Sequence, residues 1–221
     1  MSDLDSSCTE DDYEEDSCGS MYEYEIQNRF RTEITEYDNN VKREILLNNN
    51  VKVKETWLCN EIKHRDNDLP AITEYRGGIK RYEGWWVYGK RHREGDLPAR
   101  IKYSRNGNKK YEGWWFDNKR HREYDKPAYI RYFENGNIDC ESWFINGKKH
   151  RDNDSPSNID YYEDGTIQVE EWYINCKRHR SNDKPAWIEY RENGNKYREQ
   201  WFVNGQQHRD NRFPVDIIYH Q

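Results

Sequence analysis

Six His-Arg pairs recur along this chain, at His64, His92, His121, His150, His179 and His208, with spacings of 28, 29, 29, 29 and 29 residues. Histidine can serve as a general base or a metal ligand, and arginine binds phosphate or carboxylate through a planar fork. Repetition argues against the first use, because an active site is needed once. His64-Arg65-Asp66, His150-Arg151-Asp152 and His208-Arg209-Asp210 share three letters with a kinase catalytic loop, but no Asp-Phe-Gly or glycine-rich loop accompanies them. Zinc needs ligands converging in one shell, and neither CxxC nor HxxxH occurs. The residues therefore predict no catalytic site, no metal site and no cofactor. What remains for the arginines is a candidate anion ladder: Arg65, Arg93, Arg122, Arg151, Arg180 and Arg209. The Lys and Arg residues just before each His, such as Lys90-Arg91 and Lys119-Arg120, would add a basic stripe interleaved with aromatics.

The elements that must carry these residues repeat with them. A Trp stands seven residues before each His (Trp57, Trp85, Trp114, Trp143, Trp172 and Trp201), and a Pro stands six after it. In Trp143–His150 the Asn146-Gly147 pair predicts a two-residue hairpin turn, which sets Trp143 opposite His150; the same arithmetic applies to every copy. Both sets are read as structural repeat positions. A second turn follows each Tyr, as at Asn135-Gly136 after Tyr132, and the Pro of Asp-x-Pro-Ala belongs in a loop or at a strand edge. Asp68, Asp96, Asp125, Asp154 and Asp183 are expected to make an Asx turn or to pair with the Arg just before them. Twelve or so strands follow, with no helical periodicity, and stability must come from stacking copy on copy. Beyond each Trp, the residues Leu58, Trp86, Trp115, Phe144, Tyr173 and Phe202 point to the other face of the sheet, so both faces are apolar near the turn.

Residues 1–20 hold eight acids and no Lys or Arg, and read as a disordered acidic tail. Removing them changes the net charge from −6 to +2, and a near-neutral body argues against a nucleic-acid groove. Residues 21–56 echo the unit without its Trp, His-Arg or Pro and read as N-terminal capping hairpins; residues 57–221 are the six-fold array. Five cysteines at unrelated repeat positions, an acidic start unlike a signal peptide and no long apolar run predict a reduced, intracellular (cytoplasmic) setting.

Tyr82-Glu83-Gly84-Trp85-Trp86-Val87-Tyr88-Gly89-Lys90-Arg91-His92 resembles a MORN repeat, and Tyr111–His121 matches as well. The copies at Trp143, Trp172 and Trp201 match more loosely, and the likeness spans about half of each unit over residues 55–208. MORN units are shorter, about 23 residues, and end His-Gly, whereas Arg follows the His here. The longer unit is similar to MORN-like repeat proteins of large DNA viruses of amoebae and to YwqK-type repeat proteins. The resemblance implies an all-β, elongated antiparallel meander of repeated β-hairpins. It further implies a non-enzymatic scaffold for protein–protein contact, homo-oligomerisation or anionic-lipid association, in a virus-encoded and virion-associated setting, or an antitoxin or immunity role. Carried over, Trp86, Trp115, Phe144, Tyr173 and Phe202 would be the partner-facing aromatics.

Overall fold

The structure is a computed structural model that describes residues 30–210 and 212–220. The acidic tail and residues 21–29 of the expected cap lie outside the described residues. Among the described residues every regular element is a strand. Fourteen strands pair in chain order into one antiparallel sheet, from Phe30–Glu36 to Asp216–Ile218. A fifteenth, Ile62–Lys63, pairs with the end of Val51–Cys59. At 4.7–4.9 Å per strand the path is about 60 Å long. The expected antiparallel meander is the observed fold.

Each copy adds two strands to this sheet, such as Arg100–Tyr103 and Lys109–Gly113, joined at one end by the tight Asn106-Gly107 turn. At the other end, residues 114–128 connect to the next strand. They form a small hairpin, Trp115–Phe116 with Lys119–Arg120, followed by the Pro loop. These two-residue strands form five separate ribbons, one per copy from Trp86–Val87 to Gln206–Gln207. In Phe144–Lys149 the turn residues Asn146 and Gly147 sit at φ 51° and 84°, the mirror-image turn that the Asn-Gly pair favours. The His150 amide donates to the Trp143 carbonyl at 3.1 Å, and the equivalent bond occurs in all six copies. The expected Trp–His opposition therefore holds throughout.

Strand register sorts the side chains onto two faces. On one face Glu83, Ile101, Glu112, Ile130, Glu141, Ile159, Glu170 and Ile188 lie side by side, Glu and Ile alternating as the copies repeat. The indoles belong to this face. From Trp85 to Trp201 they are 4–6% exposed. Trp85, Trp114 and Trp172 pack on Ala99, Ala128 and Ala186, each fully buried. The Trp amide also donates to that residue's carbonyl, at 2.9 Å for Trp85 and Ala99. A methyl after the Pro leaves room for a ring, and this accounts for the Pro-Ala of the loop.

The other face repeats less strictly. Glu74, Tyr82, Lys102, Tyr111, Arg131, Cys140, Asp160, Val169, Glu189 and Arg198 occupy one row across it. One face thus carries the architecture, and the other tolerates variation from copy to copy.

At the first edge, Val41–Asn48 lies between Phe30–Glu36 and Val51–Cys59. Tyr37 stacks on Trp57 with ring centroids 5.5 Å apart, supplying the cover that a preceding copy gives the other indoles. All seven residues of Phe30–Glu36 are exposed.

Candidate functional site

The repeated residues converge at the strand ends that carry the small hairpins. Each Arg of the His-Arg pair sits over its own copy's Trp, with the guanidinium carbon 3.7–4.3 Å from the ring centroid. Its Nη1 donates to the Pro carbonyl of its own loop at 3.1–3.2 Å. Its remaining donors reach into the preceding copy. Arg93, Arg122, Arg151 and Arg180 place Nε and Nη2 on the two carboxylate oxygens of Asp68, Asp96, Asp125 and Asp154 at 2.6–3.3 Å. Arg209 meets Asp183 at 3.4 Å. The backbone carbonyl of the same Asp accepts from the Trp Nε1 at 3.0–3.1 Å.

This corrects two expectations. The Asp does not pair with the Arg three residues before it; it pairs with the Arg one copy later. The arginines are also not a ladder open to anions, because the forks of Arg93, Arg122, Arg151, Arg180 and Arg209 are closed on carboxylates. Arg65 has no copy before it and no ion pair among the described residues, and burial pushes its pKa down. The sixth copy has Arg212 where the others have Asp, and Arg212 pairs with Asp210. The Arg122 fork and Lys126 hold the Asp96 carboxyl down at about 2, and Arg180 with Lys184 does the same for Asp154. Arg93 and Arg151 lower Asp68 and Asp125.

The histidines join copies in the forward direction. Nδ1 of His64, His92, His121, His150 and His179 accepts from a turn amide of the next hairpin at 3.2–3.4 Å: Tyr88, Asp117, Asn146, Asn175 and Asn204. An accepting Nδ1 carries no proton, so the proton sits on Nε2. In four copies Nε2 meets Asp66, Glu94, Asp152 or Ser181 at 2.9–3.1 Å. The next turn amide donates to the carbonyl just before the His, as in Gly147 to Arg120 at 2.8 Å. Two consecutive turn amides are thus anchored on the previous copy. With Nδ1 engaged in this way, the imidazoles of these five copies are joints. No three His, Cys, Asp or Glu residues group as metal ligands among the described residues.

On the opposite face, the aromatics expected to meet a partner are covered within the chain. Trp86 and Phe144 are buried, and Trp115, Tyr173 and Phe202 are half-buried. They alternate with the cations that precede each His: Arg91 lies between Trp86 and Trp115, Arg120 between Trp115 and Phe144, Lys149 between Phe144 and Tyr173, and Arg178 between Tyr173 and Phe202. Separations run from 4.7 to 6.0 Å. The interleaved stripe is present, but it is an internal column that stacks cations on rings along the array.

A further pairing was missed at the level of sequence. Tyr103, Tyr132, Tyr161, Tyr190 and Tyr219 donate to the Glu twenty residues earlier at 2.5–2.8 Å. Burial and that carboxylate push the hydroxyls of Tyr103, Tyr132, Tyr161 and Tyr190 far above the ordinary tyrosine range. The recurrence of both residues at constant spacing was the available signal. Glu55 shows the balance in the first copy: burial would raise its pKa, but Lys52, Trp57 and Arg43 hold it at about 2.

Once these contacts are satisfied, grooves remain between Pro loops and the hairpins that follow them. One of about 770 Å³ is lined by Arg93–Leu97, Trp114–Phe116 and His121–Tyr124. Equivalent grooves of about 300 and 480 Å³ lie beside Trp143 and Trp201. Their rims carry apolar side chains in solvent: Leu97, Phe116, Tyr124 and Ile145.

No protein-family model matches the sequence, and no curated protein matches it. Among solved structures, the chain is similar to the crystal structure of a mutant S. aureus TarM in complex with fondaparinux, alpha-GlcNAc-glycerol and UDP. That match has 10% identity and a TM-score of 0.27, covering 72% of this chain and 23% of the other. A likeness this slight carries no argument about fold or function.

Proposed function

We propose that the chain is a non-enzymatic scaffold that binds a protein partner along the grooves beside its hairpins. One observation carries this reading: the His and Arg side chains repeated for chemistry are used as joints between copies, while the apolar hairpin and loop tips are left in solvent at regular steps. Exposed aromatic and aliphatic anchors beside concave, aromatic-floored grooves are features that partners use as binding hot spots. The aromatics of the internal column and the closed Arg forks lend no support to an anionic-lipid role for the ladder.

The test is affinity capture from native material with wild-type chain and with Leu97→Asp combined with Tyr124→Asp, both tips being exposed on the rim of the same groove. Wild-type chain should retain a partner that the double variant loses while its unfolding midpoint stays unchanged. A partner retained equally by both proteins would refute the placement of the surface.

A further inference from the structure

At the far ends of the strands, away from the grooves, the tight turns depart from the repeat. In the first two copies the turn segments carry Arg76, Arg81, Arg105 and Lys110, and these line one cleft of about 780 Å³. The third copy has Glu134 and Asp139 where the second has Arg105 and Lys110, and the fourth has Glu163 and Gln168. The fold therefore does not require cations there. The concentration of positive charge belongs to this cleft.

The neighbouring charges leave it cationic. Lys54 is offset by Glu74 at 3.5 Å, and Lys109 is turned to Glu112 at 2.7 Å. Arg81 donates to the Ser104 carbonyl and ties the two turns together. Arg76, Arg105 and Lys110 are exposed and make no ion pair with any described residue. Glu134 is the one remaining acid in the lining. Leu46 and Val53 supply apolar lining, and Tyr75, Tyr103 and Phe133 add ring surface. The volume falls in the range of small-molecule sites, which combine apolar walls with a few placed polar groups.

We propose that this cleft binds a small ligand carrying phosphate or sulfate groups. Arg76, Arg105 and Lys110 take the oxyanions, and the rings and aliphatic side chains take the body of the molecule. Guanidinium and ammonium groups left without carboxylates have their donors available for tetrahedral oxyanions. The site is independent of the protein-binding grooves, which lie at the opposite strand ends.

Calorimetric titration of the full chain at low salt, with pyrophosphate, ATP and sucrose octasulfate as separate probes, tests it. At least one probe should bind with a sub-millimolar Kd that weakens as salt is raised. ATP binding more tightly than pyrophosphate would point to a nucleotide-like body, and preference for the octasulfate to a sulfated sugar. Arg105→Glu with Lys110→Asp installs the third copy's own residues, so the fold is retained, and should weaken binding about tenfold or more. Lys148→Glu, a charge reversal on a hairpin at the other strand ends, should leave Kd unchanged. The proposal is overturned if no probe binds, if the double variant binds as wild type, or if Lys148→Glu weakens binding equally.

Discussion

Replacing Arg122 by Ala removes three contacts at once, and the array provides its own control. The guanidinium lies 3.8 Å over Trp114, pairs with Asp96 and donates to the Pro127 carbonyl. A cation on an indole is worth about 0.5–2 kcal/mol. The Asp96 carboxylate is about one-third exposed and keeps Lys126 as a partner, so the pair contributes only about 0.2–1 kcal/mol. The carbonyl bond and the lost stem packing add about 1 kcal/mol. The expected loss is about 2–4 kcal/mol. Arg65→Ala loses the same stack and carbonyl bond but no carboxylate, so it should cost less by the value of the ion pair, about 0.2–1 kcal/mol. Urea unfolding followed by tryptophan fluorescence would measure both, and a double-mutant cycle of Arg122→Ala with Asp96→Ala should show coupling of about 0.2–1 kcal/mol. If Arg65→Ala costs as much as Arg122→Ala, or the cycle shows no coupling, the joint between copies does not contribute as argued.

His121→Phe keeps a ring but withdraws the acceptor from the Asn146 amide, and should cost about 0.5–1.5 kcal/mol with faster hydrogen exchange at that amide; unchanged exchange would refute the role given to Nδ1. Gly84→Ala should cost about 2–4 kcal/mol, because an added Cβ would lie 2.1 Å from the Trp86 ring. Gly147→Ala, where the nearest atom is 3.7 Å away and only φ is unfavourable, should cost about 1 kcal/mol; thermal melts that reverse this order would count against the packing of Trp86. For pH, Asp96 and Asp154 have folded pKa values below the unfolded value of 3.8, so their contribution, about 1 kcal/mol each after solvent screening, is present above about pH 4 and lost as pH falls toward 2. The tyrosines are shifted the opposite way: their contribution is present below about pH 10 and lost as pH rises beyond it. Unfolding midpoints that do not fall at either extreme would contradict both assignments.

The architecture was legible because it is local. An Asn-Gly turn determines which residue faces which within eight positions, so Trp143 and His150 could be paired on paper, and a Pro without an amide had to leave the sheet. The site was less legible because its contacts cross copies. Arg93 and Asp68 are 25 residues apart, and only the folded length of the connecting loop decides whether an Asp serves the Arg of its own copy or of the next. The second aromatic row could not be assigned to solvent or interior from alternation alone. Side chains a few residues away in the same hairpin, Arg91 beside Trp86 and Lys149 beside Phe144, settled it by folding back over the rings.

Because each unit hands the same set of groups forward and receives the same set from behind, a block of 29 residues cut out from the middle leaves two ends that fit one another. Excising residues 115–143 would bring Trp114 next to Phe144 and give Arg151 the carboxylate of Asp96 in place of Asp125. Chain length is then adjustable in whole steps on the face of the indoles, while the variable face needs local repacking, since the buried Asn158 would lose its bond from Ser142.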